Sequence, residues 1–307
     1  MSAILQSSLK LAKDHLATIP EGKIPLIVIL GPTASGKTSL SVQLAKQLNG
    51  AIISTDSRQV YRGMDIGTDK ITQEEMAGIP HHLLDVAGPD QDFTLANFRE
   101  LAEHEIDVIH KKGQIPFLAG GTALYIDAIT KNYDMPSVPP NKKLREKYEK
   151  MAEKNGKQAV YDYLISIDPE NAEKIHPNNL RYVIRAIEIF ETTGKPKQNK
   201  VKEDRKYHVL KIGINRPRKQ LYDRINARVL TQVDRGILAE LHKLLENCPR
   251  NAPSMSSLGY KEYFPYIDGK ISLEEAQETL QKNTRNYAKR QMTWFRKDND
   301  INWLNAD

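Results

Sequence analysis

The sequence predicts an α/β fold in which a parallel sheet core is interrupted by an inserted all-helical domain. Three observations carry that expectation. Short, continuous apolar runs are each followed by a turn signal and then by a helical pattern. Residues 131–206 contain no strand–turn–helix unit of that kind. A further apolar run, residues 208–214, resumes the strand pattern after the gap.

Taken in order, Leu5, Leu9, Ala12 and Leu16 are spaced for a short amphipathic helix ahead of the sheet. Residues 24–30 (IPLIVIL) precede GPTASGKT, residues 51–55 (AIIST) precede DSRQVYRGMDIGT, and residues 115–119 (IPFLA) precede GGTALY. Strands that are apolar throughout, rather than alternating, suit a sheet covered on both faces. The gap opens on a Pro-rich linker, residues 135–141, and continues with helical spacings at Leu144, Tyr148 and Met151 and at Leu180, Val183, Ile184 and Ile187. Two long helical patterns follow the fourth strand, at 218–247 and 272–297. The expected division is a core of residues 1–130 and 207–307 with a helical insertion at 131–206.

The 307 residues are long enough to bury a core without disulfides or metals. The 39% apolar and 27% charged content excludes a disordered chain. No apolar run approaches the roughly 20 residues of a membrane span, and residues 1–23 lack a signal-peptide core, so the cytosol is expected. A single cysteine, Cys248, excludes a disulfide framework and a Cys-rich zinc site. The net charge of +6 hints weakly at a polyanionic partner, but its distribution is sharper. The insertion holds 17 Lys and Arg against 12 Asp and Glu, leaving the rest of the chain nearly neutral. Within that rest, residues 281–297 carry Lys282, Arg285, Lys289, Arg290, Arg296 and Lys297 and no acid.

Residues 31–38 (GPTASGKT) fit G-x-x-x-x-G-K-[ST] between a strand and a helix, the context that a phosphate-binding P-loop requires. Its glycines let backbone N–H groups turn towards a phosphate chain, Lys37 supplies positive charge and Thr38 a hydroxyl for Mg²⁺. This predicts a P-loop NTPase-like core and a di- or triphosphate ligand, without naming what carries it. Asp56 ends the second strand at the sheet edge that faces the ligand crevice in such folds. General base, metal ligand and helix N-cap all remain open for it. Thr122, in the third turn (AGGTALY), offers a hydroxyl at the same rim, and the two glycines before it suit close approach to a ligand. His81-His82 is poorly spaced for ligating a metal, and LLDV (83–86) is a weak Walker B candidate ending in Asp85. Trp294 and Trp303 read as core anchors. Arg224 with Arg228, and Arg181 with Arg185, are i, i+4 pairs that suit either a solvated face or a phosphate site.

The ordered set GPTASGKT, DSRQVYRGMDIGTDK, HHLLDV, AGGTALY, IHPNNLRYVIRAIEI, LYDRINARV, SLGYKE and TRNYAKRQMTWFR resembles the bacterial tRNA dimethylallyltransferase (tRNA isopentenyltransferase) family over nearly the whole chain. The zinc finger common in the eukaryotic form is not expected with one cysteine. Residues 1–20 look like an extension ahead of the usual start, and Arg181-Tyr182 stand where the family often has Gln-Arg.

The resemblance implies transfer of a dimethylallyl group from dimethylallyl diphosphate to N6 of the adenine 3′-adjacent to the anticodon. Thr33, Ala34, Ser35, Gly36, Lys37 and Thr38 would hold the diphosphate, with Mg²⁺ at Thr38. Asp56 would be the general base, and Arg224, with Arg228 in reserve, would assist the leaving group. Asp56, Ser57, Arg58, Gln59 and Thr122 would meet the extruded base. Arg181, Arg185, Lys289 and Arg290 would grip the anticodon stem-loop, the enzyme acting as a monomer. The alternatives are an adenylate isopentenyltransferase acting on free nucleotides, a P-loop small-molecule kinase and an RNA-binding NTPase switch. The large basic insertion speaks against the first of these.

Overall fold

The computed structural model describes residues 2–131, 138–196 and 206–306. The chain forms two compact units: Met1–Lys131 with Asp204–Asp307, and Asn132–Glu203. The first part of the Pro-rich linker and the return to the core at 197–205 lie outside the described residues.

The first unit opens with α1 (Ala3–Leu16), which buries Leu5, Ser8, Leu9 and Ala12. Its C-terminal end is pinned by His15, whose ring stacks on His208 at 3.9 Å and whose Nε2 lies 3.1 Å from the His208 carbonyl. Strand β1 (Ile24–Leu30) leads through the P-loop into α2 (Lys37–Gln47), and β2 (Gly50–Ser54) follows. A long excursion carries the one-turn α3 (Gln73–Met76), started by a Thr72–Glu75 capping box, and the two-residue strand β3 (His81–His82). Thr94 caps α4 (Leu95–Lys111), which returns the chain to β4 (Ile115–Gly120) and α5 (Ala123–Thr130).

Among its described residues the second unit has helices and no strand. Asn141 caps α6 (Lys142–Ile167), which is broken at Gly156, where φ is 82°. The short α7 (Pro169–Ala172) is capped by Asp168, and α8 (Leu180–Thr193) ends on Gly194 in the left-handed conformation. Tyr148, Val160, Leu164, Val183, Ile184 and Ile187 form its core. Of the positions whose spacing predicted the helices, Tyr148, Val183, Ile184 and Ile187 are in this core, while Leu144, Met151 and Leu180 are partly buried against it.

The first unit resumes with β5 (Tyr207–Asn215), α9 (Arg218–Asp234), α10 (Ile237–Asn247), α11 (Phe264–Ile267), α12 (Leu273–Phe295) and β6 (Ile301–Asn305). The single pattern expected over 218–247 is therefore two helices. Gly236, at φ 92°, separates them. Two edge strands were also not predicted: β3 is too short to show a period, and β6 follows the final helix as a half-exposed strand.

Among the described residues the sheet has six strands in the order β3-β2-β4-β1-β5-β6, every pairing parallel. The fold is the expected P-loop NTPase-like core. Alternate residues of each central strand enter opposite cores: Leu26, Val28 and Leu30 pack with Phe98, Ile106 and Ile126, while Ile27 and Ile29 pack with Leu5, Leu40 and Leu44. That two-sided burial is why these strands read as unbroken apolar runs. The register sets Leu30 opposite Gly120 and Ser54 opposite Ala119. The three turns singled out in the sequence thus emerge side by side.

Candidate active site

Above this edge lies a cleft of about 770 Å³ in the first unit, lined by Thr33, Ala34, Gly36, Lys37, Thr38, residues 56–59, Arg224, Arg228, Tyr287 and Arg290 among others. Gly36 has φ 100°, a conformation that side-chain-bearing residues rarely adopt, and it swings the loop into the first turn of α2. Lys37 is half-buried and its Nζ donates to the Pro32 carbonyl at 2.7 Å. Burial pulls its pKa down to about 8; Asp56 and Asp69 act against that, and Arg228 adds to it. Ser35, expected as a phosphate donor, is turned away. It is fully buried, its hydroxyl packs against Gly31, and its N–H donates to the Pro32 carbonyl.

Asp56 does not cap a helix, because the residues after it form a turn. Its Oδ1 accepts the Arg58 N–H at 2.9 Å, which leaves the second oxygen uncommitted among the described residues. Ser57 N–H donates to the Thr122 hydroxyl oxygen at 3.1 Å, and Thr122 N–H to the Thr55 carbonyl, so the second and third turns are laced together. The glycines before Thr122 serve the protein rather than a ligand. A side chain at Gly120 would overlap Thr55, and one at Gly121 would overlap Gln291. Arg58 donates to the Pro253 carbonyl, and Gln59 to the carbonyls of Thr68 and Asp69.

Helices α9 and α12 form the far wall. Arg224 Nε donates to the Ala34 carbonyl at 2.8 Å, and Arg228 Nη1 to the Thr33 hydroxyl oxygen at 2.8 Å. The helical spacing left open where these arginines point; both reach the P-loop. From α12, Gln291 bridges Thr33 and Gly121, a contact that the sequence did not signal. Tyr287, also unpredicted, hydrogen-bonds Thr122, and burial together with the Asp56 charge pushes its hydroxyl up to about 12. Arg290 lies over the Tyr287 ring at 5.8 Å, and Lys289 is exposed beside it.

The remaining candidates lie elsewhere. Arg181 is exposed on α8 of the second unit. Arg185 pairs with Glu188, which is fully buried and also holds Arg145 at 2.9 Å, so Arg185 is engaged within its own unit by a carboxylate that it shares. Asp85 is no Walker B acid: it pairs with Lys70 at 2.6 Å and lies outside the cleft. His82 pairs with Glu105 at 2.7 Å. Trp303 packs on the main core, but Trp294 is 43% exposed, its indole N–H donating to Asp127.

No cluster of three or more His, Cys, Asp or Glu suited to a metal occurs among the described residues. Thr38, with its hydroxyl, and Asp56 both line the cleft. That donor set suits a hard cation whose other ligands are phosphate oxygens and water. Among the described residues no helix is long and apolar enough to cross a membrane.

A comparison with protein families matches residues 59–298 to the IPP transferase family. A tRNA dimethylallyltransferase of Halalkalibacterium halodurans is 46% identical over 286 residues, covering 92% of this chain and 91% of that protein. One from Halothermothrix orenii is 47% identical over 285 residues, covering 91% and 87%. Among solved structures, a full-length tRNA isopentenylpyrophosphate transferase from Bacillus halodurans superposes with a TM-score of 0.69 at 47% identity, covering 92% of this chain and 90% of that one. A eukaryotic dimethylallyltransferase acting on tRNA gives 0.77 at 30% identity, covering 92% and 74%. With a P-loop, an acid at the next strand end and two arginines on the loop, in a sequence this similar along nearly its whole length, the chain belongs to the IPP transferase family of tRNA dimethylallyltransferases.

Proposed function

We propose that this chain transfers the dimethylallyl group of dimethylallyl diphosphate to N6 of the adenine 3′-adjacent to the anticodon of tRNA, releasing diphosphate. The observation that carries this reading is the pairing, in one cleft, of a P-loop gripped by Arg224 and Arg228 with the carboxylate of Asp56. A diphosphate leaving group needs concentrated positive charge, and a neutral amine acceptor needs a base; the cleft offers both.

In the reaction the N6 lone pair attacks the first carbon of the allyl group. The bond from that carbon to oxygen breaks, and its electron pair leaves with the diphosphate. The N6 proton passes to the Asp56 carboxylate. Lys37, Arg224 and the amides of the loop and of the first turn of α2 stabilise the departing charge, with Arg228 bracing the loop through Thr33. The Thr38 hydroxyl would hold Mg²⁺, which would supply further positive charge beside the leaving group. Ser57, Arg58, Gln59 and Thr122 contact the extruded adenine and its neighbours. Flipping a base out of an unpaired loop costs only a few kcal/mol. Phosphate contacts from Lys289, Arg290 and the exposed Arg181 offset that cost, Arg185 being the weaker candidate because it is already engaged by Glu188. The enzyme acts as a monomer in the cytosol.

The test is direct. Purified protein with Mg²⁺, labelled dimethylallyl diphosphate and unmodified tRNA is expected to incorporate label at one adenine and to release diphosphate. Label on free AMP but not on tRNA would instead indicate an adenylate prenyltransferase. ATP hydrolysis without any incorporation would indicate a kinase or an NTPase switch. The named relatives, tRNA enzymes, do not favour those alternatives.

A further inference from the structure

The reaction above makes no use of Gln291, a buried side chain on α12 that is 6% exposed. Its Oε1 accepts the Thr33 N–H at 2.9 Å, and its Nε2 donates to the Gly121 carbonyl at 2.8 Å. The amide orientation is fixed by these partners, since the reversed amide would set N–H against N–H and oxygen against oxygen. A buried donor or acceptor is costly to leave unpaired, so both contacts are held firmly.

Those partners lie on different functional turns. Thr33 belongs to the loop that follows β1; Gly121 belongs to the turn that follows β4, the strand beside it. Gly121 is followed at once by Thr122, whose hydroxyl holds the N–H of Ser57, the residue after Asp56. One side chain therefore ties the leaving-group side of the cleft to the base-bearing side. It also accounts for Gly121, because any Cβ there would overlap the Gln291 amide. The Thr33 N–H, being committed to Gln291, is withdrawn from the set that faces phosphate. The Ser35 N–H is likewise committed, to the Pro32 carbonyl, so the loop's contribution falls to its other amides.

We propose that Gln291 is a positioning residue that fixes the donor turn relative to the acceptor turn, so that its loss appears in the chemical step and not in the affinity for either substrate. This rests on the prenyl-transfer reading. A misplacement of about 1 Å between reacting groups is enough to cost ~10²-fold in rate.

Two variants test it. Gln291→Met keeps length and apolar bulk but makes neither hydrogen bond. It is expected to lose ~10²-fold in single-turnover transfer, with pyrophosphate and tRNA affinities unchanged. Gln291→Glu can replace the amide only when its carboxyl is protonated, because an ionised carboxylate cannot donate to the Gly121 carbonyl. Its rate relative to wild type should therefore recover as pH falls from 8 towards 5.5. Should Gln291→Met fail to fold, Gln291→Glu carries the test through that pH profile. An unchanged rate in Gln291→Met, a loss matched by equal losses in binding, or a flat relative profile for Gln291→Glu would overturn the proposal. A wild-type protein that transfers no prenyl group would overturn the functional reading instead. The clamp would then be judged by amide exchange at residues 33–36 and 120–123, expected to quicken in Gln291→Met; unchanged exchange would sink it.

Discussion

Asp56 and Lys37 face one cleft with opposite needs. In the proposed reaction Asp56 accepts a proton and Lys37 keeps one. In Asp56→Asn the side-chain oxygen can still accept the Arg58 N–H, so the turn survives while the base is lost. Single-turnover transfer should fall ~10²–10⁴-fold with tRNA affinity unchanged, and equal losses in both would make Asp56 a binding residue. For Lys37 the sign follows from its depressed pKa. The free enzyme loses this charge as pH rises through about 8, chiefly because burial disfavours the ammonium ion. Pyrophosphate affinity should therefore weaken between pH 7 and 9, and binding near pH 8 should take up a proton. Calorimetry in buffers of different ionisation heats would detect that uptake, and Lys37→Arg should abolish it.

At the level of elements, α12 combines exposed basic residues with buried cleft-lining ones. Lys289 is exposed and Arg290 lies at the cleft over Tyr287, and neutralising either should lower the salt slope of tRNA binding by about 1 without changing base choice. An unchanged slope would remove them from the phosphate track. Gln291 and Tyr287 of the same helix also line the cleft. The basic spacing was legible in the sequence, but the assignment of each charge was not: Arg285 is engaged by Asn226 of α9. The segment after Asp56 depends on α10 in the same way. Glu240 accepts N–H groups from Asp65, Ile66 and Gly67 and the Tyr260 hydroxyl. Glu240→Ala strands those donors and should cost about 1–3 kcal/mol in chemical denaturation, together with a looser wall to the cleft.

For the molecule as a whole, two units with separate cores imply separable stabilities. In the second unit, the buried Glu188 is pushed up by desolvation, but hydrogen bonds from Arg145, the Asn141 N–H and Arg185 outweigh this and hold its carboxyl below its ordinary value. A depressed acid contributes stability that is complete above its unfolded pKa and lost as pH falls through the folded one. Acidification below about pH 4 should therefore loosen this unit. Glu188→Ala, which leaves two arginines without their carboxylate, should destabilise it by about 3–5 kcal/mol, seen as an early helix-melting step by circular dichroism. Loss of the helical signal in a single unchanged transition would contradict this.

The sequence by itself determined the sheet class, the P-loop, the acid at the second strand end, the helical insertion and the family. Each of these is written in local patterns: continuous apolar strands, glycines at a turn, helical periods and motifs in order. Only the tertiary structure decided which side chains share the cleft. Arg224 and Arg228 had a helical spacing but no direction until α9 packed beside the loop. Ser35 sits inside a phosphate motif yet turns inward, and the glycines before Thr122 make room for Thr55 and Gln291 rather than for a ligand. Gln291 meets Thr33 across 258 positions. A lone glutamine on a helix carries no period and no motif, so its partners are fixed only by how the chain's distant segments pack.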